Sequence, residues 1–119
     1  MSSQPEQLRE RTKAFALRII RLYRSLPYRT DTQVLGKQLL RCGTSVAANY
    51  RAVCRARSKA EFVAQMGIVV EEADEAILWL ELMTESGIVS LTKTEALLKE
   101  ANELTSIFSA SQRTARNVA

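Results

Sequence analysis

The sequence has no histidine, two prolines, four glycines and two cysteines, and only 6% of its residues are aromatic. Without histidine it cannot form the Glu-x-x-His pairs with which carboxylate-rich helical bundles hold two metal ions. Two cysteines fall short of the four soft ligands of a structural zinc site. Cys42 and Cys54 stand in one expected helix, about 18 Å apart and beyond disulfide reach, so both read as small buried hydrophobes. No apolar run approaches the roughly 20 residues that span a bilayer, and the opening MSSQPEQLRER lacks the apolar region of a signal peptide. A cytoplasmic protein with no membrane contact is expected. There is no Gly-rich phosphate loop and no nucleophile–base arrangement. No catalytic residue, metal ligand or cofactor is therefore assigned, and no enzymatic activity is expected.

What is present is apolar periodicity. The 119 residues are 46% hydrophobic and 25% charged, which fits one all-helical domain over residues 1–119. The first helix is expected over about 6–26, with Leu8, Thr12, Phe15, Ile19, Leu22 and Leu26 recurring at steps of four and three. Pro27 ends it. Thr30 and Gln33 have capping-box spacing before a second helix over about 31–55, whose stripe is Leu35, Leu39, Cys42, Val46, Tyr50 and Val53. Ser58 and Glu61 open a third over 59–86, closed by Gly87, and Thr92 and Glu95 open a fourth over 92–110. Residues 1–5 and the small, polar stretch from Ser109 onward are expected to fray. Four helices joined by short connections make an all-α, antiparallel up-down-up-down four-helix bundle.

The third helix is the most informative. Phe62, Met66, Val69, Ala73, Ala76, Ile77 and Leu80 fall on one face, wide enough for a bundle core. A neighbouring strip holds Ile68, Glu72, Glu75, Trp79 and Leu82. A helix that is apolar on more than one side is buried on more than one side, which makes Ile68, Trp79 and Leu82 candidates for an interface between subunits.

Charge divides the chain in two. Residues 1–59 carry 13 Lys+Arg and 3 Asp+Glu, whereas residues 60–119 carry 4 and 10. Two consequences are open: helices of opposite sign pair with one another, or the basic half forms a surface for nucleic acid. In the second helix Gln38, Arg41, Ser45, Asn49 and Ala52 form a polar and small-residue strip beside the apolar one. Glu71, Glu72, Asp74 and Glu75 crowd like charge into one turn and need a cation. A partly buried network of Arg41, Asn49, Glu72 and Glu75 is the expected result, with a structural role in fixing register. Between the second and third helices, Arg51, Arg55, Arg57 and Lys59 form the densest basic cluster with no acid among them. These are the candidate nucleic-acid contacts, since such clusters neutralise phosphates and release counterions.

The segments LLRCGTSVAANYRAVCRARSKAEF and IVVEEADEAILWLEL resemble the four-helix bundle family named for open reading frames in the intervening sequences of bacterial large-subunit ribosomal RNA genes. Its best-matched positions are Ser45, Asn49, Ala56, Ser58, Phe62, Glu72, Glu75, Trp79 and Leu82. The resemblance implies an antiparallel bundle that assembles as a ring, typically a homopentamer, with no known enzymatic activity. A related bundle, the accessory protein of diversity-generating retroelements, implies structured RNA or a nucleic-acid enzyme as partner. One departure is Ala52, where family members often have Glu.

Overall fold

The computed structural model describes residues 3–118 as four helices, with no strand among them. They are α1 (Gln4–Arg24), α2 (Thr30–Cys54), α3 (Lys59–Glu85) and α4 (Leu91–Asn117). Each helix packs against the next in sequence, and α1 meets α4 through a thinner contact. The body measures 50 × 27 × 19 Å.

The stripes read from the sequence form the core. Leu8, Phe15 and Ile19 of α1, Leu39, Cys42 and Val46 of α2, Met66, Val69 and Leu80 of α3, and Leu97, Leu104 and Phe108 of α4 are buried together. Tyr50 stacks obliquely on Phe108, with ring centroids 5.2 Å apart. Thr12 is buried without penalty because its hydroxyl donates to the Leu8 carbonyl at 2.9 Å. Thr84 and Thr94 bridge α3 and α4 at 2.8 Å.

Several helix ends depart from expectation. Ser58 caps α3 as expected, accepting from the Glu61 N–H at 3.0 Å. The Thr30/Gln33 box does not form: Arg29 is the N-cap and gives α2 no side-chain bond. Asp31 accepts from the Thr32 N–H instead, and Gln33 accepts from the Tyr23 hydroxyl. The Thr92/Glu95 box does not form either, because α4 starts earlier, after Ser90. At the first helix, Ser3 accepts from Glu6 N–H and Pro5 sits in the opening turn, so α1 begins at Gln4. It ends at Arg24, before Leu26. The expected fraying of Met1, Ser2 and Ala119 lies outside the described residues.

The largest difference is at the C-terminus, where α4 runs on to Asn117 rather than stopping near 110. The Gln112 amide donates to the Val63 carbonyl of α3 at 3.0 Å and ties the extra turns to the bundle. Ala110 and Ala115 favour the helix, and Arg116 complements the negative end of its dipole. Gly87 closes α3 with φ +82°, a conformation that glycine adopts without steric cost.

Candidate functional site

Two clusters stand out, one at the α2–α3 turn and one midway along the same helix pair. At the turn, Arg55 caps α2, its N–H reaching the Ala52 and Val53 carbonyls, and Ser58 starts α3 three residues later. So short a connection holds Arg51, Arg55, Arg57 and Lys59 at one end of the molecule, and all four are exposed. Arg57 has one loose acidic neighbour, Glu61, at 3.9 Å, and the Lys59 ammonium donates to the Val118 carbonyl.

Folding adds residues that sequence spacing could not supply. A cavity of about 420 Å³ opens beside the turn, lined among others by Arg9 from α1, Tyr50, Cys54, Lys59 and Phe62. Arg9 lies more than forty residues from the cluster it joins, so only the packing of α1 on α2 reveals it. Burial pushes the Tyr50 hydroxyl upward, reinforced by Cys54 and opposed by Arg9.

Midway along the helices, Arg41 reaches from α2 to both carboxylates of α3, 3.2 Å from Glu72 and 3.3 Å from Glu75. Gln38 accepts from the same guanidinium at 3.3 Å. The expected network therefore forms without Asn49, whose amide donates to the Ser45 carbonyl of its own helix at 2.9 Å. It also lies nearer the surface than expected, the Arg41 side chain being 50% exposed and that of Glu72 18%. Asn49 is eight residues from Arg41 along α2, or about 12 Å of helix rise, and the Ser45 carbonyl one turn back takes its amide instead.

Cys42 joins this cluster unannounced, with an Arg41 nitrogen 3.2 Å from its sulfur. Burial pushes its thiol up to about 11; Arg41 works against this, and Glu75 and Glu72 add to it. Sγ of Cys42 and carboxylate oxygens of Glu72 and Glu75 lie within 4.8 Å of one another. The donor set suits a metal poorly, since a ligating sulfur must be a thiolate and the Arg41 guanidinium already engages both carboxylates. The arrangement holds α2 to α3 by ion pairing.

The interface candidates divide. Ile68 and Leu82 are exposed. Trp79 is half-buried and packs against the core, yet its indole N–H is buried without an acceptor among the described residues. Ion pairs cross between helices at Arg41, which joins α2 to the acidic α3, and at Arg11 of α1, which binds Glu100 and Glu103 of α4 at 2.5 and 3.1 Å. No helix of the structure is long and apolar enough to cross a membrane.

Four packed helices with a basic turn at one end define an all-α helical protein with an exposed cationic edge. Residues 6–110 match the family described as 23S rRNA-intervening sequence protein, and the chain belongs to that family. It is similar to a crystallised protein of unknown function from the S23 ribosomal protein family of Bacteroides thetaiotaomicron VPI-5482, with 29% identity, a TM-score of 0.85, and coverage of 93% of this chain and 99% of that one. No curated protein matches it.

Proposed function

We propose that the chain is a non-enzymatic, cytoplasmic scaffold: an antiparallel up-down-up-down bundle that assembles as a ring, a homopentamer, and associates with structured RNA or a nucleic-acid enzyme. The observation that carries this reading is the exposed quartet Arg51, Arg55, Arg57 and Lys59, concentrated by a short turn at one end of the bundle. Exposed cations so close together attract phosphates and release counterions, whatever the nucleotide sequence. Membership of a family named for a 23S rRNA intervening sequence supports the same direction.

The exposed Ile68 and Leu82 favour a second reading, a protein–protein scaffold with no nucleic-acid binding, in which the basic half serves contacts between subunits. Salt separates the two. Binding of a fluorescent structured RNA is expected to weaken by an order of magnitude or more between about 50 and 200 mM salt. Arg55→Gln with Arg57→Gln is expected to flatten that slope. Absence of RNA binding at low salt would leave the protein scaffold.

A further inference from the structure

The cavity beside the α2–α3 turn has features that phosphate attraction alone does not use. At about 420 Å³ it falls within the roughly 300–1,000 Å³ of small-ligand pockets. Arg9 and Lys59 line it, and among the described residues no carboxylate does. The acids nearest in sequence lie elsewhere: Glu6 is exposed outside the lining, and Glu61 turns to Arg57. Arg9 is half-buried, yet it forms no ion pair among the described residues. A guanidinium held in a cavity wall without a counter-ion favours an anion there.

Beside the cations stand two aromatic rings. Phe62 is half-buried and lines the cavity. Tyr50 is only 4% exposed, its ring stacked on Phe108. The groups that act on its hydroxyl are Cys54 and Arg9, and both line the cavity, so the polar end of the ring faces the opening.

Cations, an aromatic plane and a hydroxyl in one cavity match three parts of a nucleotide: the phosphate, the face of the base and its edge. We infer that the cavity takes one unpaired nucleotide of a bound RNA, with its phosphate on Arg9 and Lys59, its base on Phe62 and a base edge on the Tyr50 hydroxyl. Lys59 belongs to both the cavity and the exposed quartet, so an RNA backbone lying along Arg51, Arg55 and Arg57 passes the opening. The inference rests on the RNA reading above and deepens it. Loops and bulges of a structured RNA are preferred over its stems, because a paired base is not free to leave its stack.

Cys54 reports occupancy, since its thiol is half-buried in the cavity wall, whereas Cys42 is buried and resists ionisation. Alkylation of Cys54 by iodoacetamide is followed by mass spectrometry at low salt, with a fluorescent RNA hairpin or with a blunt duplex of its stem sequence. The hairpin is expected to slow alkylation several-fold and the duplex to leave it unchanged. Phe62→Leu keeps apolar bulk and removes the stacking plane. It is expected to weaken hairpin binding by roughly tenfold and duplex binding not at all; Tyr50→Phe, which removes only the hydroxyl, takes its place if that variant loses helicity. Equal protection of Cys54 by both RNAs, or a Phe62→Leu variant that binds the hairpin as the parent does, overturns the inference and leaves the RNA reading standing. Failure of both RNAs to bind overturns the RNA reading first, and this inference with it.

Discussion

Gly43 of α2 faces Ile19 of α1 so closely that a Cβ on the glycine would stand 2.8 Å from Ile19 Cγ1. Ile19 is fully buried and β-branched, so it has no free rotamer into which to retreat. Gly43→Ala is expected to destabilise by about 1–3 kcal/mol through overpacking, despite the roughly 1 kcal/mol that alanine gains in helix propensity. Gly67→Ala is the control. Its Cβ would meet only the end of the Gln112 side chain, at 2.9 Å; moving that amide gives up its bond to Val63, the helix propensity that alanine gains offsets the loss, and a change near zero is expected. Urea denaturation of the two variants measures the contrast.

Trp79 and Leu82 share a strip of α3 but rest on different supports. Trp79 packs on the core, whereas Leu82 is exposed. Trp79→Ala is expected to lower chain stability by about 2–3 kcal/mol as well as loosening the assembly. Leu82→Ala is expected to lower the assembled mass and leave helicity unchanged. Circular dichroism and light scattering on the same samples separate the effects; equal loss of helicity in both variants would place Leu82 in the core as well.

Alkaline pH is expected to weaken the fold through Cys42. Its folded-state value, near 11, lies above the thiol's ordinary 9.0, so the unfolded chain releases the proton first. The contribution is complete below pH 9 and is lost as pH rises toward 11, a decline on the order of 2 kcal/mol. Tyr50, also pushed upward, adds to the decline above pH 10. Cys42→Ala is expected to flatten the part between pH 9 and 10 in denaturation curves taken under reducing conditions. An unchanged slope there would mean that the thiol ionises equally in both states.

Asn49→Ala is expected to change stability by less than about 0.5 kcal/mol. The lost bond is to a carbonyl of the same helix, and alanine favours the helix. A cost above about 1 kcal/mol would show that Asn49 has a buried partner in the assembled protein.

The core was legible because Leu8, Phe15, Ile19 and their counterparts on the other helices repeat at helical spacing, and burial follows that spacing directly. Arg41, Glu72 and Glu75 were legible too, because crowded carboxylates demand a cation. Asn49 was misplaced: sharing a strip with Arg41 does not bring two side chains together across the helix rise between them. Two of three capping boxes failed because the pattern repeats by chance: the N-cap of α2 lies one residue before Thr30 and that of α4 two residues before Thr92. The extension of α4 depends on Gln112 reaching Val63, and the Arg9 contribution to the basic end on α1 lying beside Tyr50. Both are tertiary contacts without a local pattern.

The central claim is a self-assembled basic scaffold, and its most direct test is the mass of the purified protein by light scattering, alone and with a structured RNA, at low and moderate salt. The account predicts a homopentameric mass at both salts, rising with RNA at low salt alone. A single-chain mass that RNA does not change at either salt would contradict it.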